Sequence, residues 1–176
     1  MKTYIGIDPG LQGGIAIITG DKINIFKMPL IAKGEIDIEN IFHILSAYDE
    51  VNKVHVCIED VHSIFGASAG SNFTFGFGCG QLDAVIKCCS LPFTKVPPKI
   101  WQKEMWSGVK PVLITTGKKD KKGMPKYKID TKATSLIAAK RLFPKINFLP
   151  TERCTKEHDG MIDAILIAQY ARRKNL

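Results

Sequence analysis

Residues 3–28 read Thr3-Tyr4-Ile5-Gly6-Ile7-Asp8-Pro9-Gly10-Leu11-Gln12-Gly13-Gly14-Ile15-Ala16-Ile17-Ile18-Thr19-Gly20-Asp21-Lys22-Ile23-Asn24-Ile25-Phe26-Lys27-Met28. Three short β-rich runs, Thr3–Asp8, 13–19 and 22–28, are separated by the turn signals Pro9-Gly10 and Gly20-Asp21. Consecutive strands with connections this tight form an antiparallel meander. The glycine-rich turn 10–14 resembles a phosphate cradle only superficially. Such cradles lead from a strand into a helix N-terminus, whereas here the chain runs on into another strand. The turn reads as a hairpin connection that lets a ligand's backbone approach closely.

Working outward, 37–52 carries apolar residues at Ile38, Ile41, Phe42, Leu45 and Tyr48, which is helical spacing. The strand-like run 53–59 (KVHVCIE) follows it, so a crossover and a parallel neighbour are expected. Beyond a Gly/Ser/Ala-rich stretch at 63–72 and the FTFGFG at 73–78, a helix is expected over about 78–89. A strand at 92–96 comes next, then a helix opened by Pro97-Pro98 that carries Trp101 and Trp106. Residues 107–129 read as a flexible basic loop. Asp130 or Thr131 caps a helix that ends before Pro144, and 155–174 reads as a final amphipathic helix. With no repeats and no second composition regime, the expectation is one mixed-sheet α/β domain over 1–176.

At 45% hydrophobic and 24% charged residues, the chain is neither disordered nor fibrous. No apolar run approaches the roughly 18 residues of a membrane span. Asp8 interrupts the place where a signal peptide would keep its apolar stretch, so secretion is not expected. Five cysteines (57, 79, 88, 89, 154) form no CxxC pair, which fits buried thiols in a reducing cytoplasm. The formal charge of +8 is unevenly placed. Residues 95–145 hold fourteen Lys/Arg against three acids, a local +11, so the remainder carries −3. Such asymmetry points to a polyanion-binding face, most often for nucleic acid, and not to a membrane surface, since the lysines lie among Gly, Pro and Asp.

The chemistry lies in the acids. Asp8 and Glu59 each end a strand, so on neighbouring strands their carboxylates converge at one end of the sheet. Asp159 and Asp163, four apart on the last helix, share a face. Asp163 precedes Ala164-Ile165-Leu166-Ile167-Ala168, so it stands beside a buried apolar face, and Glu59 follows a buried strand. Four carboxylates gathered in one place call for cations, and an all-oxygen ligand set favours hard Mg²⁺, with Mn²⁺ substituting. Asp60 points to the opposite face of its strand and is left out. Trp101 and Trp106, five apart, do not share a face and read as core or interface.

Ile5-Gly6-Ile7-Asp8-Pro9-Gly10 with Gly13-Gly14-Ile15-Ala16, then Ile58-Glu59, then His158-Asp159-Gly160-Met161-Ile162-Asp163-Ala164, resemble the RuvC-like Holliday-junction resolvases in order and spacing over nearly the whole chain. The resemblance implies a ribonuclease H-like mixed sheet, three antiparallel strands then parallel ones, flanked by helices. It further implies a homodimer that makes Mg²⁺-dependent paired nicks in four-way DNA in the cytoplasm of a bacterial or phage-infected cell. By match, Asp8, Glu59 and Asp163 take the first, second and last acidic positions. The family's remaining acid or histidine commonly lies three before the last, and here that position is Gly160. Asp159 is the replacement and His158 its competitor. On an ideal helix Asp159 lies about 40° from Asp163 and His158 about 140°.

Two ions roughly 3.5–4 Å apart are implied, with Asp8 bridging, Glu59 and Asp163 on one ion each, and Asp159 completing the set or orienting water. Lys118, Lys119, Lys121, Lys122 and Lys132 would hold phosphates, Lys132 nearest the scissile one. Similar enzymes place aromatics after the catalytic strand against unstacked bases, which implicates Phe73 or Phe75. The competing reading of FTFGFG is buried core, against which the glycines at 76, 78 and 80 argue. The helix at 78–89 is the implied dimer interface. Small size, the basic insertion at 107–129 and the departures from the cellular pattern point to a phage-type member. Other substrates (flaps, forks, RNA–DNA hybrids) and a non-catalytic junction binder remain open. A sugar-kinase-like ATPase would need a second domain.

Overall fold

In the computed structural model, residues 1–32, 34–48, 53–62 and 66–176 are described. The meander forms as expected: β1 (Thr3–Asp8), β2 (Gly14–Thr19) and β3 (Lys22–Lys27) pair antiparallel in sequence order. After α1 (Ile38–Ser46), β4 (Val54–Glu59) returns parallel to β1. After α2 (Ala69–Cys88), β5 (Phe93–Val96) lies parallel to β4, completing a mixed sheet of order β3-β2-β1-β4-β5. Three more helices follow: α3 (Pro98–Met105), α4 (Thr131–Leu142) and α5 (Asp159–Lys174).

Alternation along the central strands sorts the core into two layers. Ile5, Ile7, Ile15, Ile17, Val56 and Ile58 face α1 and α2, meeting Ile41, Leu45, Leu82 and Ile86. Tyr4, Ala16, Ile18, Cys57 and Val96 face the other way, under Trp101, Met105, Ala138 and the apolar face of α5. Strands covered on both faces read as unbroken apolar runs, which is why β1, β2 and β4 are so rich in isoleucine and valine. No helix among the described residues is long and apolar enough to cross a membrane.

Helix α5 lies directly on β1 and β2 because glycine permits it. A Cβ on Gly6 would overlap the Ala164 carbonyl and the Ala168 backbone; one on Gly14 would press on the Gly160 carbonyl. Reciprocally, a Cβ on Gly160 would strike the backbone of Gln12 and Gly13. The position three before Asp163 therefore admits no side chain at all.

Five expectations change. The expected flexible loop at 107–129 contains a two-stranded hairpin, β6 (Leu113–Lys119) and β7 (Pro125–Ile129). Its turn is organised by Asp120, whose Oδ1 accepts from the Lys122 and Met124 amides at 2.8 and 2.9 Å, with Gly123 at φ +81°. FTFGFG precedes no helix; it lies inside α2, which starts at Ser68, whose Oγ accepts from the Ser71 amide at 3.0 Å. An N-cap ten residues upstream outweighs the alternating pattern. The last helix begins at Asp159, not 155, because His158 caps it. Helix α1 closes at Ser46 with Ala47 as its C-cap, while the expected extension over 49–52 and the start of the 63–72 stretch, at 63–65, lie outside the described residues. The thiols also differ from expectation: all five are free, but only Cys57 is buried and Cys88 is exposed.

Replacing Gly6 by Ala forces α5 off the sheet and should cost about 3 kcal/mol or more in urea unfolding. Gly76→Ala, on α2 with nothing within 4 Å of the added carbon, should instead gain up to ~1 kcal/mol.

Candidate active site

Strand parity decides where the acids point. Asp8 continues the Tyr4–Gly6 face of β1, and Glu59 continues the Cys57 face of β4, so both carboxylates emerge on the side that α5 covers. Strands β1 and β4 are paired through Ile7↔Ile58, which brings the next residue of each to the same sheet end. Helix α5 supplies Asp163 one turn in and Asp159 at its start. The four acids proposed from the sequence therefore meet, each felt by Asp8 as negative charge.

Their environment is strongly unfavourable to charge. Burial, and then Asp163, Glu59 and Asp159, push Asp8 well above the ordinary carboxylate range. Asp163 is pushed up to about 7, chiefly by burial, with Ser135 hydrogen-bonded to it and opposing the shift. Its Oδ1 is buried without a hydrogen-bond partner. Glu59 is raised by burial and partly restored by Trp101, whose Nε1 donates to Oε1 at 2.8 Å.

At the mouth, Lys132 from the first turn of α4 pairs with Asp159 at 2.7 Å, and its own pKa rises through that hydrogen bond. His158 accepts the Met161 amide on Nδ1 at 3.3 Å as the N-cap of α5. Burial, reinforced by Lys27, lowers its pKa. Of the two competitors, Asp159 is the one whose charge reaches both Asp8 and Asp163, while a ring nitrogen of His158 is committed to the cap.

Asp8, Asp159, Asp163, His158 and Lys132 line one open cleft of about 550 Å³, closed on one side by Phe75. Glu59 sits behind it against Trp101. Phe75 packs on Gly10, a residue at φ +114°. Phe73 and Phe77, one turn apart on α2, stack at 6.4 Å and 11° and are 75% and 59% exposed. Of the two aromatics proposed from the sequence, Phe73 is thus presented to solvent, with Phe77 and not Phe75 beside it. Lys118, Lys119, Lys121 and Lys122 are exposed on the hairpin, outside the cleft lining.

A hard divalent cation fits the chemistry of this donor set: all oxygen, mutually repelling, with a buried carboxylate oxygen left unpartnered. As they stand, no three His, Cys, Asp or Glu side chains among the described residues are arranged to hold an ion. Three of the acids line the cleft, with Glu59 behind them, without closing around a centre.

Sequence reading missed Trp101 and Ser135 as neighbours of the acids. Trp101 is core, as expected, but a buried indole N–H needs an acceptor, and that rule alone would have marked it.

No family model matches the chain, and no curated protein sequence does. Among solved structures it resembles Thermus thermophilus RuvC, with a TM-score of 0.53 and 16% identity over 98% of this chain and 96% of that one. It resembles equally T. thermophilus RuvC in complex with a Holliday junction substrate, at TM-score 0.53 and 11% identity over the same shares. The fold is ribonuclease H-like. In fold alone it is RuvC-like: a five-stranded mixed sheet, antiparallel then parallel, flanked by helices.

Because Asp163 moves from an ordinary 3.8 to about 7, the folded chain keeps a proton between those values that the unfolded chain has released. Metal-free stability should therefore fall as pH climbs from 4 towards 7, by as much as ~4 kcal/mol. Thermal melts in EDTA at pH 4 and pH 8 measure the drop, which Asp163→Asn should reduce while Asp8, shifted in the same direction, keeps part of it.

Proposed function

We propose that residues 1–176 form one metal-dependent endonuclease domain that resolves four-way DNA junctions, a crossover junction endodeoxyribonuclease. The observation that carries this reading is the meeting of Asp8, Asp159 and Asp163 in one cleft of a RuvC-like fold, with Glu59 behind it within electrostatic reach of Asp8 and with Asp163 Oδ1 buried and unpartnered. Mg²⁺ or Mn²⁺, two per site, would supply an activated water at neutral pH and charge stabilisation at the leaving 3′ oxygen.

The protein's own groups do the rest. Asp8, reached by the charge of the other three, would hold the ions together with Glu59 and Asp163, and Asp159, paired with Lys132 in the metal-free protein, would complete the set. Lys132 would then offer its ammonium at the cleft mouth to a phosphate next to the scissile bond. Hairpin lysines 118, 119, 121 and 122 hold an arm of the DNA through its backbone, which positions without specifying sequence. Phe73, with Phe77 stacked behind it, offers an exposed platform to an unpaired base.

Paired nicks in opposite strands require two such sites, so the working unit is a homodimer, with the 78–89 part of α2 as its interface and Phe73 left clear of it. The setting is the cytoplasm of a bacterial or phage-infected cell, and the 107–129 insertion favours a phage-type enzyme.

A synthetic four-way junction, a flap, a duplex and an RNA–DNA hybrid, each with and without Mg²⁺, test the proposal by gel. Paired nicks confined to the junction are expected. Asp8→Asn should abolish them while binding persists. Binding without cleavage in Mg²⁺ or Mn²⁺ would leave an architectural binder; preference for flaps or hybrids would replace the substrate. Reversing Lys118, Lys119, Lys121 and Lys122 to Glu should weaken junction binding and flatten its salt dependence by about 0.9 for each phosphate no longer neutralised.

A further inference from the structure

Helix α3 contributes nothing to the cleft lining, yet both tryptophans of the chain belong to it, Trp101 within and Trp106 as its C-cap. Trp101 is fully buried and donates Nε1–H to Glu59 Oε1 at 2.8 Å. Trp106 donates Nε1–H to Ser135 Oγ at 3.3 Å, and Ser135 is itself hydrogen-bonded to Asp163.

In the ionised, cation-binding form of Asp163 the direction of this second relay is forced. An indole can only donate and an ionised carboxylate only accept, so with Asp163 ionised, as cation binding requires, the Ser135 hydroxyl accepts the Trp106 N–H and donates its own O–H to Asp163. Trp101 and Trp106 stand five residues apart, about 140° around a helix, which is why they do not share a face. That separation lets one short helix reach two different acids.

We propose that Trp101 and Trp106 are positioning residues for cation binding: Trp101 locks Glu59 directly, and Trp106 locks Asp163 through Ser135. Each carboxylate is held by one hydrogen-bonded support and keeps an oxygen for the ion. For Asp163 that oxygen is the unpartnered Oδ1. An indole has a single donor, so it fixes an acid's rotamer without saturating it. Metal-site supports of this kind are worth 10–100-fold in metal affinity.

The inference rests on the metal-dependent reading above, and the experiment separates the two. With only two tryptophans, a ¹⁵N-labelled chain shows two indole N–H signals. Saturating Mg²⁺ should shift both, the Trp101 signal more than the Trp106 signal, because Trp101 is one hydrogen bond from a ligand and Trp106 two. By calorimetry, Trp101→Phe, which keeps an aromatic ring and deletes the donor, should weaken Mg²⁺ about tenfold, and Ser135→Ala severalfold. Adding Trp101→Phe to Glu59→Gln should weaken it no further. On the junction, both single variants should lower kcat and leave KM unchanged.

Should Trp101→Phe fail to fold, the wild-type titration and Ser135→Ala still decide. Mg²⁺ that binds the wild type without moving either indole signal, or binds both single variants as tightly as the wild type, overturns the inference alone. A wild type that takes up neither Mg²⁺ nor Mn²⁺ removes the metal reading and this inference with it.

Discussion

Everything at the proposed site depends on how closely α5 can lie on the sheet. Gly6 and Gly14 present bare backbone to the helix, and Gly160 presents bare backbone to the turn at 12–13. With any of the three enlarged, the helix would stand away by the width of a methyl group. Asp163 and Asp159 would withdraw from Asp8 by the same amount. The seam of small residues is thus what turns four acids far apart in the chain into one electrostatic cluster. It also explains why the residue three before Asp163 has no side chain: packing has taken a position that chemistry could have used.

Such a cluster is held together against its own repulsion. Desolvation and like charge both oppose ionisation of Asp8 and Asp163, and the surrounding fold supplies the difference. Lys132 offsets part of it through Asp159, standing as an internal counter-charge at the open side of the cleft. On the closed side the compensation is by hydrogen bonds, from Trp101 to Glu59 and from Ser135 to Asp163. Strain at a functional site is common, and here its sources are individually identifiable. A rigid two-layer core, with α1 and α2 below the sheet and α3, α4 and α5 above it, is what can carry that load.

The elements that were legible were those whose signal is local. Paired turn signals around Asp8, an apolar run ending at Glu59 and a helix with Asp163 next to Ala164–Ala168 specify strand ends and a buried helix without outside help. Proline at the start of α3 and Asp130 at the start of α4 worked the same way. FTFGFG hid the start of α2 because its alternating phenylalanines and glycines show no helical spacing, while the Ser68 cap that commits the segment to helix lies well upstream. The 107–129 segment misled because lysine and glycine density resembles disorder, whereas Asp120 and Gly123 make a turn that pairs the two flanking runs.

The sequence by itself determined the strand order of the meander, the parallel return of β4 and the basic character of the middle of the chain. These follow from periodicity, turn chemistry and charge, which are properties of neighbouring residues. Tertiary structure alone decided that Asp159 and not His158 is electrostatically joined to Asp8 and Asp163, that Phe77 stacks on Phe73 while Phe75 turns to Gly10, and that α3 reaches two acids at once. Each depends on the rotation and depth at which one element seats on another. Those are set by where backbones can touch, and no local pattern in the chain encodes them.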